Sequence, residues 1–274
     1  MPGPNFADWL AQQHARADAP PGSPREALWL DTANVQIGSI EAALGHRFVE
    51  AGLPLQRAFD GWRVSGAADA ALAQIARWMN TNGLGGRWRG ELLSVTDEGG
   101  QVFGHIERAA VRPLGITTFA VHLVAHAESG GTWVQQRALD KTTDPGLWDT
   151  AMGGLVAAGE SVLQALERET WEEAGLRLAA LRDVTALGRV TVRRPVDAHG
   201  YMVEHIDVFE ATVPSHTVPI NQDGEVARFE CWPEAVLREA LVSWAFTLEA
   251  GLILAGCLTR PGARPASRPR SEGS

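Results

Sequence analysis

The sequence has few of the residues on which disulfide-rich, zinc-binding and nucleic-acid-binding proteins depend. It contains one lysine, one tyrosine and two cysteines among 274 residues, with a formal net charge of −9. The cysteines, Cys231 and Cys257, are too few for a disulfide framework or a zinc site, and they are typical of a reducing compartment. We therefore expect a cytoplasmic protein without structural zinc.

The scarcity of clustered positive charge argues against a nucleic-acid partner. Binding to a polyphosphate backbone needs Lys and Arg side chains that displace counterions, and Lys141 is the only lysine. No apolar run reaches the ~18 residues that a membrane span requires, and residues 1–20 lack the basic and apolar parts of a secretory signal. We expect neither a nucleic-acid nor a membrane partner, while the oligomeric state is left open.

What the sequence does contain is enough apolar material, 45% of its residues, for two modest domains. Changes in residue composition and hydrophobic pattern along the chain predict an N-terminal arm (1–24), a small α+β domain (25–113), a second domain (114–259) and a disordered tail (260–274). An acidic protein that handles an anionic substrate must screen its own carboxylates, and a divalent cation is the usual means.

Local patterns predict several elements. Apolar residues in helical phase indicate a helix near Asp69–Met79. Two alternating segments, Glu91–Thr96 and Gln101–Glu107, are separated by turn-forming residues and predict a hairpin. Near the C-terminus, Pro233 suits the first turn of one helix and Ser243 the cap of a second.

The chemistry is concentrated in residues 154–176. Ser161 is a candidate N-cap for a helix whose inward face would carry Leu163, Leu166, Thr170 and Ala174. Seven polar and glycine residues of this segment stand at fixed spacings from one another. They are Gly154, Glu160, Arg168, Glu169, Glu172, Glu173 and Gly175.

The acids of this segment fall on one helix face. Glu169 and Glu173 stand at i and i+4, with Glu172 at i+3, so their carboxylates converge beside the helix. At about 5 Å and an effective dielectric of about 20, a half-buried pair of like charges costs roughly 3 kcal/mol, which a cation removes. All-oxygen ligands favour Mg²⁺ or Mn²⁺. The alternative to a metal site is an acidic helix face exposed to solvent, which explains neither the glycines nor the fixed spacing.

This segment resembles the Nudix box, G-x5-E-x7-R-E-U-x-E-E-x-G-U with U aliphatic, except that Thr170 stands at an aliphatic position. The resemblance implies an α/β fold, a Nudix α/β/α sandwich with a mixed sheet, preceded here by the smaller α+β domain. It also implies that Glu169, Glu172 and Glu173 bind metal, with the Gly154 carbonyl as a further ligand. Arg168 would hold the carboxylates in orientation by pairing with Glu172, and Glu160 would steady the loop or reach the metal through water.

Flanking motifs resemble one subgroup, the Nudix proteins related to the part fused to fungal thiamine pyrophosphokinase. Upstream is the run R-x3-K-x3-P-G-x-x-D from Arg137 to Asp149, and downstream is Asn221-Gln-Asp-Gly-Glu-Val226. In the first domain, the segments beginning at Trp88 and Ile106 are similar to that subgroup as well. The resemblance thus covers most of the chain.

The subgroup implies a small-molecule diphosphate substrate, a thiamine diphosphate-like compound in oxidised form that is cleaved to the monophosphate and phosphate. Arg137 and Lys141 are candidates to bind its phosphates, since guanidinium and ammonium groups suit diphosphate oxygens, but a plain surface role is about equally compatible. Asp223 and Glu225 are candidates for a further metal ligand or the general base, and a turn-forming role is the alternative.

Other functions stay open at this point. The box alone is compatible with a nucleoside diphosphate-linked substrate such as ADP-ribose or NADH. Isopentenyl diphosphate isomerases share the fold and a similar run, but they carry a catalytic cysteine just before the box glycines, where this chain has Ala151 and Met152. A non-catalytic ligand sensor is less compatible with three intact acids.

Overall fold

The computed structural model describes residues 5–196 and 200–260. All but the first residue of the predicted disordered tail therefore lies outside the described residues. The helices are α1 (Phe6–Ala17), α2 (Ala42–Glu50), α3 (Ala68–Thr81), α4 (Val162–Ala174), α5 (Glu234–Val242) and α6 (Leu248–Thr259). The strands are β1 (Arg25–Leu30), β2 (Val35–Glu41), β3 (Leu55–Ala58), β4 (Gly61–Val64), β5 (Leu92–Thr96), β6 (Val102–Glu107), β7 (Thr117–Ala127), β8 (Thr132–Arg137), β9 (Trp148–Asp149), β10 (Met152–Leu155), β11 (Arg182–Pro195), β12 (Tyr201–Val213) and β13 (Val226–Trp232).

The first part of the chain builds its own core. Strands β1 to β4 form a sheet in the order β2-β1-β4-β3, in which β1 and β4 are parallel. Helices α2 and α3 and the β5–β6 hairpin close a core that includes Phe48, Trp62 and Ile75, all essentially without solvent exposure. A small α+β unit therefore precedes the larger sheet, and the exact limits of the predicted domains stay a prediction.

The hairpin and helix predicted in this part are present. Strands β5 and β6 pair antiparallel, and the Asp97 carboxylate accepts a hydrogen bond from the Gln101 amide (2.9 Å) to close the turn. Gly100 takes a positive φ of 83°, a conformation that side chains disfavour. Helix α3 spans the predicted helix and extends it slightly at both ends.

The second sheet is mixed, as the sequence led us to expect. Its order is β11-β12-β7-β8-β13, with β10 beside β7 and β9 beside β8. Strands β7 and β12 run parallel over eleven residue pairs, while the other pairings are antiparallel. Strand β7 therefore lies centrally, with β10 and its two glycines alongside it.

Successive side chains of β7 point to opposite faces of this sheet, and each face is covered by helices. Ala120 and Val124 belong to one core, which includes α5 and α6. Val121 and Leu123 belong to the other core, which includes α4. The predicted α/β/α sandwich with a mixed sheet is confirmed. Among the described residues, no helix combines the length and apolar character needed to span a membrane.

Helix α1 packs on the sandwich rather than standing apart from it. The Asn5 side chain caps the helix by accepting a hydrogen bond from the Asp8 amide (2.9 Å). Trp9 is fully buried in the core formed with α5 and α6. The predicted N-terminal arm thus contributes a large apolar side chain to the second core.

Two local predictions are wrong. Leu163 is 60% exposed, because the buried face of α4 begins at Ala165, two residues later than its apolar pattern suggests. Ser243 follows the end of α5 and donates to the Ala240 carbonyl (2.9 Å), whereas Thr247 caps α6. A residue with positive φ, Trp244, separates the two helices and shifts the second cap.

Candidate metal centre and active site

The sequence fixes both ends of α4, the helix that carries the acids. Ser161 and Gln164 form a capping box, in which the Gln164 side chain accepts from the Ser161 amide (2.8 Å) and the Ser161 hydroxyl accepts from the Gln164 amide (3.3 Å). Gly175 ends the helix in the left-handed region (φ 64°), where a Cβ would lie 2.6 Å from the Ile220 carbonyl oxygen. These ends set the position of the acidic face.

The two glycines of β10 allow this face to approach the sheet closely. A Cβ at Gly154 would lie 2.0 Å from the Glu169 carboxyl carbon, and one at Gly153 would lie 2.4 Å from Cε1 of the buried His122. The Glu169 carboxylate therefore packs directly on strand backbone. Burial raises the pKa of Glu169, and the charge of Glu172 raises it further against the opposing effect of Arg168.

Glu173 is the most buried of the three acids, with 3% of its surface exposed. Its Oε2 accepts hydrogen bonds from the Gln135 amide side chain (2.9 Å) and the Gly153 backbone amide (3.1 Å). Burial, helped by the charge of Glu169, raises the pKa of Glu173 to about 8 in spite of these donors. Ionisation of Glu173 at this position therefore costs electrostatic free energy.

Arg168 joins the acids to the loop before the helix. Its Nε and Nη2 donate to the two carboxylate oxygens of Glu160 (2.7 and 2.8 Å), and Nη2 also donates to the Leu155 carbonyl (3.0 Å). Its Nη1 donates to Glu169 (2.7 Å) and Glu172 (3.1 Å), so the predicted pairing at i+4 is present. The bond from Arg168 keeps the pKa of Glu160 below its ordinary value.

In this arrangement the acids are not gathered around one point. Within the part of the chain that the structure describes, no three His, Cys, Asp or Glu side chains form a group that could hold a metal ion. Arg168 draws Glu169 and Glu172 toward its guanidinium, while Glu173 lies against Gly153. Metal binding would require these carboxylates to turn away from Arg168.

The donor set itself fits a hard divalent cation. Buried carboxylates one helical turn apart, with raised pKa values, sit beside strand backbone that carries the Gly154 carbonyl. Oxygen donors of this kind suit Mg²⁺ or Mn²⁺, and a cation would offset the cost of ionising these buried groups, whose pKa values burial raises. Glu172, 46% exposed at its side chain, would meet the ion from the solvent side.

The upstream run folds as a loop that Arg137 holds in place. The Arg137 guanidinium donates to the Thr143 carbonyl (3.3 and 3.0 Å) and to the Asp149 carboxylate (3.4 Å). Only 16% of the side chain is exposed. These contacts give Arg137 a structural role in the loop, and its expected role in phosphate binding stays a prediction.

Lys141, in contrast, reaches the downstream acidic loop, where its ammonium contacts the Glu225 carboxylate. Burial acts to raise the pKa of Glu225, but Lys141 outweighs it and leaves that pKa below its ordinary value. Asp223 accepts from the Glu225 amide (2.8 Å), and burial raises the pKa of Asp223. The Asn221 side chain accepts from the Asp223 and Gly224 amides (3.2 and 3.1 Å), so the predicted turn-forming role is present as well.

Sequence reasoning missed three residues at this site. Gln135 is buried within β8, but this strand also carries Thr132, Gln136 and Arg137, so a polar residue there gave no signal. Arg89 and Arg108 belong to the first domain, yet the charges of both act on Glu225, and that of Arg108 also acts on Glu169. Both arginines stand in the segments beginning at Trp88 and Ile106, whose resemblance to the subgroup was the available signal, but no role was predicted for them.

Substitution of Gly154 tests the close approach of the Glu169 carboxylate to the β10 backbone. We expect Gly154→Ala to weaken Mn²⁺ binding by about 10-fold or more, because the added Cβ must displace the Glu169 carboxylate. Gly256→Ala in α6 is a matched control, since its Cβ would meet nothing within 4 Å. Isothermal titration with Mn²⁺ measures both variants. Wild-type affinity in Gly154→Ala would show that the Glu169 carboxylate has no part in the site.

The raised pKa of Glu173 predicts a pH dependence of stability in the presence of a chelator. The folded protein keeps the Glu173 proton up to about pH 8, whereas the ordinary value is 4.5. The unfolded chain therefore binds fewer protons between these values, and the free energy of unfolding falls as the pH rises through this range. Glu173→Gln should flatten the decline in denaturant unfolding followed from pH 5 to pH 8. Parallel curves for the two proteins would refute the assignment.

Comparison with known proteins agrees with this geometry. A family model of the NUDIX domain matches residues 117–248. Nudix hydrolase 20, a chloroplastic protein of Arabidopsis thaliana, is 30% identical over 208 residues, which are 74% of this chain and 54% of the plant protein. Chloroplastic Nudix hydrolase 24 of the same plant is 29% identical over 74% of this chain and 56% of its own length. The chain thus spans about half the length of these relatives. Because both relatives are chloroplastic, the cytoplasmic location of this chain stays a prediction.

Two further matches cover nearly all of the protein compared. An isopentenyl-diphosphate Delta-isomerase of Leifsonia xyli is 33% identical over 189 residues, which are 66% of this chain and 97% of the isomerase. A crystal structure of a Deinococcus radiodurans protein shares the fold with a TM-score of 0.50 and 23% identity, covering 62% of this chain and all of the other. The chain belongs to the Nudix family.

Proposed function

We propose that this protein hydrolyses a diphosphate bond with the help of Mg²⁺ or Mn²⁺ bound by Glu169, Glu172, Glu173 and the Gly154 carbonyl. The observation that carries the proposal is the burial of Glu169 and Glu173 against the Gly153–Gly154 backbone, with both pKa values raised. A divalent cation held by these groups would offset that cost and would supply activation of water and charge stabilisation on the departing phosphate.

The surrounding residues have supporting roles in this proposal. Arg168 orients the acids and, through its paired bonds to Glu160, fixes the loop before the helix. Asp223 suits the general base better than Glu225, because burial raises the pKa of Asp223 while Lys141 lowers that of Glu225. Asp223 would accept the proton of the attacking water.

We assign the substrate to the thiamine diphosphate-like compounds, in oxidised form, with the monophosphate and phosphate as products. The support is the resemblance of the Arg137–Asp149 run and the Asn221–Val226 loop to the subgroup related to fungal thiamine pyrophosphokinase. These two segments, distant in sequence, meet through the contact between Lys141 and Glu225. The two similar proteins from Arabidopsis thaliana are named as Nudix hydrolases, and these names specify no substrate.

A second candidate is isomerisation of isopentenyl diphosphate, which the match to the Leifsonia xyli enzyme favours. The cysteines of this chain lie elsewhere. Cys231 is on β13 beside the Gly130 carbonyl, and Cys257 is on α6, on the opposite face of the sheet from α4. The position before the box glycines holds buried Ala151, which has no acid–base group. Hydrolysis is therefore the better supported reaction.

A phosphate-release screen tests the proposal. Purified protein with Mg²⁺ or Mn²⁺ should release phosphate from thiamine diphosphate or its oxidised forms, and Glu173→Gln should lower kcat about 100-fold by removing a metal ligand. Glu167→Gln, the same change on the same helix outside the cluster, is the matched control and should keep wild-type kcat.

The other outcomes separate the alternatives. Cleavage of ADP-ribose or NADH gives two monophosphates and no free phosphate, so these compounds are followed with a phosphatase added after the reaction. Cleavage of ADP-ribose or NADH alone would keep the hydrolase and overturn the thiamine assignment. Cleavage of no compound would refute hydrolysis, and deuterium exchange into isopentenyl diphosphate would then support the isomerase.

A further inference from the structure

Two arginines of the first domain are held side by side at its border with the second. The Gly86 amide donates to the Ala109 carbonyl (2.9 Å), and a Cβ at Gly85 would lie 2.4 Å from the same oxygen, so the loop before β5 packs tightly on the turn after β6. Arg89 lies in this loop and Arg108 begins the turn. Their backbones are therefore fixed relative to each other.

The contacts around both arginines reinforce this frame. The Arg89 amide donates to the Glu107 carboxylate (2.9 Å), and the Arg108 amide donates to the Glu91 carbonyl (2.9 Å). Glu107 is almost completely buried, with 3% of its surface exposed. Backbone positions anchored in this way can present side chains in a defined direction.

This border faces the acid cluster. The Ala158 amide, in the loop just before α4, donates to the Leu92 carbonyl of β5 (2.8 Å). The Arg89 guanidinium lies 3.8 Å from the Glu225 carboxylate, which Lys141 also contacts. The charge of Arg108 acts on Glu225 as well as on Glu169. Cations from the first domain therefore lie across from the acids of the second.

The side chains of the two arginines are open to a ligand. Arg89 and Arg108 are 37% and 39% exposed. Arg168, the cation on α4, already makes bonds to Glu160, Glu169, Glu172 and Leu155. Among the described residues, Arg108 makes one side-chain hydrogen bond, from Nη1 to Glu91 (2.7 Å), and so presents further N–H donors. Guanidinium groups suit the paired oxygens of a phosphate.

We infer that Arg89 and Arg108 bind the diphosphate group of the ligand, so that the first domain completes the active site of the second. The inference rests on the proposed function for the identity of the ligand. It gives the first domain a role in binding that the acids on α4 cannot supply, because carboxylates repel phosphate oxygens that no cation screens. The competing view is that both arginines serve only as surface ion-pair partners of Glu225 and Glu91.

Binding of imidodiphosphate, an inorganic diphosphate that resists hydrolysis, tests the inference by isothermal titration in the presence of Mg²⁺. We expect Arg89→Gln and Arg108→Gln each to weaken binding by about 10-fold, the usual effect of losing a charge-assisted hydrogen bond. Arg87→Gln is the matched control, since Arg87 is exposed in the same loop, and its affinity should equal that of the wild type. The lysine variants Arg89→Lys and Arg108→Lys should recover part of the affinity.

Glu91→Gln distinguishes ligand binding from a structural role of Arg108. It breaks the Arg108–Glu91 pair but keeps the guanidinium, so binding should be unchanged or tighter. Binding weakened equally by Glu91→Gln and Arg108→Gln would overturn the inference for Arg108. Wild-type affinity in both arginine variants, or no binding by the wild type, would overturn it altogether. Arginine-dependent binding without hydrolysis of any diphosphate compound would refute the proposed function and leave the inference standing.

Discussion

The close packing of two carboxylates on bare strand backbone is the constraint on which the site depends. Gly153 and Gly154 have no side chains, so Glu169 and Glu173 lie directly against β10. Water is displaced from both carboxylates, and their pKa values rise. The central position of β7, the pairing of β10 beside it and the capped ends of α4 all serve to hold these groups together.

Arg168 explains how the folded chain tolerates this arrangement. Its guanidinium satisfies Glu160 with two parallel bonds and also contacts Glu169 and Glu172, so part of the negative charge is balanced within the helix itself. Glu173 receives only neutral donors, from Gln135 and Gly153. Burial therefore keeps Glu173 protonated up to about pH 8, and a bound cation would have its largest effect on the ionisation of this residue.

The sequence predicted the parts of the site that are local along the chain. Spacing alone placed Glu169, Glu172 and Glu173 on one helical face, because helix geometry relates residues three and four apart. It did not reveal Gln135 or Arg108, whose proximity to the acids depends on how β8 and the first domain pack. It was wrong about Leu163, since an apolar pattern cannot tell where a helix leaves the sheet.

In the proposed site, acids come from α4 and cations come from the border of the first domain. We propose that Glu169, Glu173 and the Gly154 carbonyl share one divalent cation. Anomalous diffraction from a Mn²⁺-soaked crystal tests that claim most directly. We expect a peak within coordination distance of all three groups, with Glu169 turned away from Arg168. A peak elsewhere, or none, with the Arg168–Glu169 bond retained, would contradict it.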